Sequence, residues 1–264
     1  RKEGYNKAQG RNFAIKNSEG IIIVVADAGC LYEKDYVKKM TAPLIKYMIN
    51  NLERFNINKK ELLEYIRSKG YELDNIEEGE YVQGYYYPYY NNDFGFYAGL
   101  FLVKEKQCKI LSRASARASS YFKYVWEKVG GYPESFVTGE DTKFNILILK
   151  NNFRWVCVNT KVLWKMPENL LEFYKKFEKY AIGDVIQGNL FSSPKLFLFF
   201  IGFCSYIILI IIYPISRLLS FFYLTTKGFI YSIRVKRLKA LMYVRLLEFV
   251  KIIAYQIGII KGLI

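Results

Sequence analysis

The sequence predicts an α/β domain with a mostly parallel sheet flanked by helices, followed by C-terminal transmembrane helices. Ile21 to Val25 are five consecutive β-branched residues without polar alternation, which is typical of a strand covered on both faces. Such strands belong to parallel sheets, and a basic, helix-like stretch precedes this one as in an αβ unit. Further along, Leu196 to Ser216 carries no charge over 21 residues, enough for a helix to cross about 30 Å of hydrocarbon.

Composition limits the classes of protein that remain. The net charge of +15 suits an anionic partner, but no recognised nucleic-acid motif accompanies it, so we expect no nucleic-acid binding. The chain has no histidine, which excludes a His/Cys zinc site. Its four cysteines are far apart and form no C-x-x-C pair, so we expect reduced thiols facing the cytosol.

The first half of the chain alternates helical and extended patterns. An amphipathic helix from Tyr5 to Asn17 leads into the strand, whose Asp27-Ala28-Gly29 end comes next. The later patterns predict a turn and helix over Cys30 to Asn51 with a break near Pro43, a charged surface helix over Asn56 to Gly70, and a solvated acidic loop over Glu72 to Glu80.

The middle of the chain begins with a tyrosine-rich strand, Tyr81 to Tyr90, which should enter a loop at Pro88. Its tyrosines could stack on sugars, but half-buried strand tyrosines with wet hydroxyls explain them more simply. The following patterns predict helices over Asn91 to Val103, Tyr121 to Val129, Phe144 to Leu149 and Glu168 to Ile182, and short strands over Phe153 to Val158 and Val162 to Trp164.

The C-terminal part divides at Pro194. We expect a domain over residues 1–190, a transmembrane segment or helical hairpin over 195–233, and a basic amphipathic helix lying on an anionic membrane surface over 234–264. Arg234, Lys236, Arg237 and Lys239 follow the apolar stretch, and the positive-inside tendency assigns them to the cytosol. These patterns predict a cell-membrane protein whose N-terminal domain lies in the cytosol.

Three short stretches are candidates for chemistry. Asp27 ends a buried strand, where open α/β sheets collect their ligands, although a simple turn would also explain it. Glu140 and Asp141 open a helix after a glycine, so they could cap it or hold a general base. Ser115 and Arg117 lie in a small, polar stretch that suits a ligand-binding loop or a flexible linker.

Taken together, these residues resemble a membrane-anchored family-2 glycosyltransferase of the GT-A nucleotide-sugar fold. The resemblance covers roughly residues 7 to 184, in order. It is carried by Gly10-Arg11-Asn12-x-Ala14-Ile15, Asp27-Ala28-Gly29, Ser115-x-Arg117, Trp126-Glu127-Lys128-Val129-Gly130-Gly131-Tyr132-Pro133-Glu134, Gly139-Glu140-Asp141-Thr142, Trp164-x-x-Pro167 and Tyr180-Ala181-x-Gly183-Asp184.

The resemblance implies transfer of a sugar from a nucleotide-diphosphate donor to a lipid-linked or glycan acceptor, with inversion. Asp141 would be the catalytic base. Asp27 would lie against the donor diphosphate and its Mg²⁺ or Mn²⁺, although Gly29 replaces the second aspartate of the family's Asp-x-Asp and supplies no ligand. The other implied contacts are Arg11, Asn12 and Lys179 for the donor, and Ser115, Arg117, Glu140 and Trp164 for the acceptor or its loop.

Two departures keep other functions open. The family's first strand and helix, which bind the nucleotide base, are not found, so we expect that residues upstream of Arg1 are missing. A catalytically inactive, membrane-tethered binding or scaffold protein of the same fold would explain that loss together with Gly29. A nucleotidyltransferase on a related fold would also place acids at strand ends, but it does not explain the Gly-Glu-Asp-Thr stretch.

Overall fold

The structure is a computed structural model that describes residues 6–103, 107, 111, 115–136, 138–212 and 214–264. Of residue 204 and the residues from 206 to 218 it describes at most the backbone. The described chain forms two compact units that interleave along the sequence. The first comprises Arg1–Pro88, Val103–Ser135 and Glu140–Lys165, and the second comprises Tyr89–Leu102, Phe136–Gly139 and Met166–Ile264.

Strands and helices alternate in the first unit, whereas helices follow one another in the last third of the chain. The strands are Ile22–Val25 (β1), Cys30–Tyr32 (β2), Tyr81–Tyr89 (β3), Ser119–Phe122 (β4) and Trp155–Lys165 (β5). The helices are Lys7–Lys16 (α1), Tyr36–Asn50 (α2), Leu52–Phe55 (α3), Lys59–Ser68 (α4), Asp93–Leu102 (α5), Lys123–Lys128 (α6), Glu140–Lys150 (α7), Leu170–Ile186 (α8), Asn189–Ser192 (α9), Pro194–Ile212 (α10), Pro214–Val235 (α11) and Lys239–Leu263 (α12).

The five strands form one mixed, curled and mostly antiparallel sheet in the order β1-β4-β3-β5-β2. β4 is antiparallel to both β1 and β3, and β2 is antiparallel to β5. The expectation of a GT-A-like, mostly parallel sheet is therefore wrong. The chain is α/β, but its strands do not repeat the right-handed crossovers that a parallel sheet requires.

The apolar run at residues 21–25 led to the wrong prediction of a strand covered on both faces, because β1 is an edge strand with alternating burial. Ile23 and Val25 are buried, whereas Ile22 and Val24 are half-buried and Ile21 is exposed. β-branched residues favour any half-buried pleated surface, so a run of them does not require cover on both faces.

The core of the first unit lies on both sides of this sheet. The helix α2 packs against β1, β4 and β5, with Met40 and Leu44 fully buried. The Ser120 hydroxyl donates to the Met40 carbonyl at 2.6 Å, which ties the helix to β4. A cluster of buried rings, Tyr81, Tyr121, Tyr132 and Phe144, connects the sheet with α7; its stacked members Tyr81 and Tyr121 lie 5.7 Å apart.

The second unit is helical and is built around the pairing of α8 with α12. Gly258 lets the two helices approach closely, because a Cβ at that position would overlap the Glu178 carbonyl and Ala181. α5 joins this pair where Tyr97 stacks on Tyr243 at 4.6 Å. Glu248, buried on α12, accepts hydrogen bonds from Lys227 on α11 at 2.6 Å and from Lys251 at 3.0 Å, so its charge is compensated.

The expected transmembrane helices are not found. Among the described residues, none of the helices combines the length and the apolarity that a membrane crossing needs. Among the described residues, α10 covers Pro194–Ile212 and α11 covers Pro214–Val235, which includes Lys227 and Arg234. The prediction of C-terminal transmembrane helices is therefore wrong.

The cysteines also differ from expectation. Cys30 is a free thiol on β2, as expected. Cys157, on β5, is disulfide-bonded. The expectation that the thiols are all reduced is therefore wrong for Cys157.

Candidate active site

Asp27 follows β1 and forms an ion pair with Arg11 of α1. Both side chains are largely buried, with 16% and 14% of their surface exposed. α1 is fixed at its start by Asn6, whose side chain accepts a hydrogen bond from the Gln9 amide while the Gln9 side chain accepts one from the Asn6 amide. This capping box sets the direction of the helix and thereby places the Arg11 guanidinium beside the carboxylate.

Arg11 also reaches the start of α7. Its Nη1 donates to the Glu140 carboxylate at 2.8 Å, and the guanidinium lies 5.3 Å from the centre of the Tyr132 ring. Glu140 is itself buried in the first turn of the helix. Arg11 is therefore held between two carboxylates, which makes it a rigid centre of the cluster.

Arg117 approaches Asp27 from the other side. Its Nε lies 4.0 Å from the second carboxylate oxygen of Asp27, and its Nη1 donates to the Ser115 hydroxyl at 2.6 Å. The guanidinium also stacks on the Trp164 ring at 3.8 Å, with 16% of the side chain exposed. A stacked, hydrogen-bonded guanidinium is preorganised, so it loses little freedom when an anion binds.

Asp141 is connected to this cluster through Ser115. Its Oδ2 accepts hydrogen bonds from the Ser115 hydroxyl at 3.3 Å and from the Ala116 amide at 3.4 Å. Its Oδ1 accepts from the Thr142 amide at 2.8 Å. A continuous series of contacts thus runs from Glu140 and Arg11 through Asp27, Arg117 and Ser115 to Asp141, all within the first unit.

The electrostatics of the cluster favour charged side chains. Burial of Asp27 acts to raise its pKa, but attraction to Arg11 and then to Arg117 outweighs burial, so the pKa of Asp27 is lowered. Burial of Arg11 acts to lower its pKa, but attraction to Asp27, Tyr132 and Glu140 outweighs burial, so the pKa of Arg11 is raised. Both groups are therefore ionised at neutral pH and form a stable ion pair.

Tyr32 is a part of the site that the sequence did not indicate. Its hydroxyl accepts a hydrogen bond from the Asp27 amide at 2.7 Å and donates to the Arg117 carbonyl at 3.2 Å. Burial raises the pKa of Tyr32. Tyr32 thus fixes the backbone of the two residues whose side chains meet, but it lies on β2, in a stretch where the sequence predicted a turn.

Asn12 has a structural environment. Its Nδ2 donates to the Tyr132 carbonyl at 2.8 Å and to the Glu134 carboxylate at 2.9 Å. Its Oδ1 accepts from the Trp126 indole and the Tyr132 amide, both at 2.9 Å. Four protein partners fill the hydrogen-bonding capacity of this amide, so Asn12 fastens α1 to the turn after α6. Its expected contact with donor phosphates stays a prediction.

Lys179 belongs to the second unit, on α8, whereas the cluster is built from the first unit. Its expected contact with the donor also stays a prediction.

The residues around Asp27 do not fit a divalent cation. Both carboxylate oxygens of Asp27 face guanidinium groups, and Gly29 offers no side-chain ligand. Hard cations such as Mg²⁺ need several oxygen ligands. Across the part of the chain that the structure describes, no three or more Asp, Glu or Cys side chains are grouped so that they could hold a metal. We therefore derive no step through a metal, and the expected Mg²⁺ or Mn²⁺ stays a prediction.

Comparison with known proteins gives no identification. No protein-family model matches the sequence, and no curated protein matches it either. The resemblance to family-2 glycosyltransferases therefore rests on the quoted residues alone.

Proposed function

We propose that the chain is a glycosyltransferase that takes a sugar from a nucleotide-diphosphate donor and transfers it to a hydroxyl of a lipid-linked or glycan acceptor. The single observation that supports this best is the connected cluster in which two guanidinium groups and three carboxylates lie together. Arg11 and Arg117 flank Asp27, and Ser115 links Arg117 to Asp141. Such a site combines guanidinium donors for a diphosphate with a candidate base.

The proposed reaction is a single displacement. The acceptor oxygen forms a bond to the anomeric carbon while the bond from that carbon to the diphosphate oxygen breaks, and the nucleoside diphosphate leaves with the electron pair. Asp141 accepts the proton of the acceptor hydroxyl. Attack opposite the leaving group inverts the anomeric centre.

In this proposal Arg117 stabilises the negative charge that develops on the leaving diphosphate, because charge-assisted hydrogen bonds strengthen as that charge grows. Asp27 acts through the arginines, since it holds both guanidinium groups in place. The Trp164 ring packs against the Arg117 guanidinium and holds it in place. Ser115 orients both Arg117 and Asp141.

The test is a panel of sugar nucleotides assayed for release of nucleoside diphosphate, with and without an acceptor hydroxyl compound. We expect at least one donor to be consumed by the unaltered chain. Asp141→Asn should lower turnover roughly 10²- to 10⁴-fold, the usual contribution of a general base. Asp74→Asn makes the same chemical change at an exposed loop position of the same unit and should leave turnover unchanged.

A scaffold or binding protein is the second candidate, and one observation favours it. Arg11 is already paired with two carboxylates, Asp27 and Glu140, so part of the positive charge is neutralised within the protein. This candidate predicts that nucleoside diphosphates bind but that no sugar nucleotide is consumed. Turnover that Asp141→Asn abolishes would reject it, and binding without turnover across the whole panel would reject the enzyme.

A further inference from the structure

The helices α11 and α12 expose a large apolar surface in the second unit. On α11 the exposed side chains include Leu219, Phe222, Phe229 and Ile233, each between 59% and 64% exposed. Their spacing of three, seven and four residues places them along one face of the helix. Soluble proteins rarely expose so many large apolar side chains together, so this face is expected to bind something.

A second apolar face lies on α12 and on the residue before it. Leu238, Met242, Leu246 and Phe249 recur every three or four residues and are between 42% and 89% exposed. With Leu224 of α11 and with Leu241 and Arg245 they line a groove of about 450 Å³. The two helices meet where Gly228 lies against the Leu241 backbone, so the groove follows the crossing of α11 over α12.

The C-terminal stretch that forms this groove is basic. Residues 194–264 contain ten lysines and arginines and a single acid, Glu248. That acid is buried and already paired with Lys227 and Lys251. The turn between the helices exposes a basic group, Arg234, Lys236, Arg237 and Lys239. Of these, Lys239 also forms an exposed ion pair with Asp93 at 2.7 Å.

Arg245 joins the apolar and the basic parts. Its guanidinium lies 4.5 Å from the centre of the Phe221 ring, while the residue lines the groove. A long basic side chain in this position covers apolar surface with its stem and keeps its charge at the rim. The arrangement is that of a surface whose partner is apolar inside and anionic at its edge.

We propose that the groove between α11 and α12, together with the exposed face of α12 and the basic turn, binds the surface of a lipid bilayer that carries anionic headgroups. The apolar face would enter the boundary between headgroups and acyl chains, and the basic turn would contact the headgroups. A second copy of the chain fits less well, because pairing two such faces would bring two basic turns together. Contact with a surface requires no helix to cross the bilayer.

The proposal is tested by sedimentation of the full chain with vesicles. One set contains phosphatidylcholine alone and the other contains phosphatidylserine as well. We expect binding to the anionic vesicles that weakens as salt is added. The double variant Lys236→Gln with Arg237→Gln should weaken binding roughly 20- to 30-fold, given the usual contribution of one basic residue near an anionic surface.

The matched control changes two exposed lysines of α4, Lys59→Gln with Lys60→Gln, which removes the same charge from the first unit. It should leave vesicle binding near that of the unaltered chain. Equal losses in both double variants would show attraction by net charge alone and would overturn the assignment to this surface. Equal binding to both vesicle types would overturn it as well.

The apolar part is tested by Leu238→Gln with Met242→Gln, at positions 89% and 62% exposed, where folding should tolerate the change. This variant should lose vesicle binding, whereas Val37→Gln with Leu149→Gln, exposed in the first unit, should keep it. The molar mass of the chain, measured without vesicles, tests whether a second copy of the chain covers the groove instead. A stable dimer that the Leu238 and Met242 changes dissociate would show that a second copy covers the groove and would overturn the proposal.

Discussion

At the scale of single residues, the central feature is a carboxylate held between two arginines. Asp27 contacts Arg11 at one oxygen and Arg117 near the other, and all three side chains are largely buried. A buried charge is stable only when it is compensated, so the three residues depend on one another. Substitution of one of them should therefore affect both the stability and the chemistry of the site.

Asp27→Asn should lower the free energy of unfolding by roughly 3 kcal/mol at neutral pH, because it removes a carboxylate that compensates two buried guanidinium groups, those of Arg11 and Arg117. The loss should depend on pH. Since the pKa of Asp27 is lowered in the fold, the carboxylate stabilises the protein fully above the ordinary aspartate pKa of about 4 and ceases to do so as pH falls through the lowered value.

The measurement is urea unfolding between neutral and acidic pH, followed by tryptophan fluorescence. All three tryptophans, Trp126, Trp155 and Trp164, lie in the first unit, so the signal reports the unit that contains Asp27. The difference between the variant and the unaltered chain should shrink below about pH 4. A difference that stays constant down to pH 2 would mean that the carboxylate charge of Asp27 does not stabilise the fold.

Part of the candidate site could be predicted. Residue types and positions indicated Asp27, Ser115, Arg117, Glu140 and Asp141, and the family resemblance added Arg11 and Trp164. The structure brings these residues together. Tyr32 was missed because its contribution is one hydroxyl between two backbone groups. Neither composition nor periodicity carries a signal for such a contact, which depends on the pairing of distant strands.

At the scale of elements, periodicity predicted the helices better than the strands. The helices α1, α4, α5 and α8 lie within a few residues of their expected positions, because apolar spacing on a helix is a local property. Strand partners are not local. The sequence predicted two short strands, Phe153 to Val158 and Val162 to Trp164, but the structure has one long strand, β5. In its middle, the Thr160 hydroxyl donates to the Tyr85 carbonyl at 3.3 Å.

A glycine in β3 illustrates how tightly the sheet packs. A Cβ on Gly84 would overlap the Thr160 hydroxyl and lie 3.1 Å from both Ala118 and the Met40 sulfur. Gly84→Ala should therefore lower the free energy of unfolding of the first unit by about 1 to 3 kcal/mol, the usual cost of overpacking. Urea unfolding followed by tryptophan fluorescence measures this change.

Gly10→Ala is the matched control. Gly10 lies inside α1, and a Cβ there would meet nothing within 4 Å. This change should raise stability by about 0.5 to 1 kcal/mol, because alanine favours the helix interior. If both variants were equally stable, steric contact at Gly84 would not determine the free energy of unfolding of the first unit.

At the scale of the whole molecule, the two proposed binding sites lie in different units. The first unit contains the sheet and the cluster of charged residues around Asp27. The second contains the α8–α12 pair and the exposed apolar side chains of α11 and α12. The sequence predicted the α/β character. It could not predict the antiparallel pairing, because β-branched runs suit edge and central strands alike.

The central claim is that the cluster around Asp27 binds a phosphate-bearing donor, and equilibrium titration of nucleoside diphosphates into the full chain tests it most directly. Arg117→Lys keeps the charge but loses the planar donor pair and the stacking on Trp164. Arg154→Lys makes the same change at a position whose side chain is 56% exposed. The account predicts that the unaltered chain binds and that Arg117→Lys weakens binding roughly 10- to 100-fold, while Arg154→Lys does not. Absence of binding by the unaltered chain, or equal binding by the two variants, would contradict it.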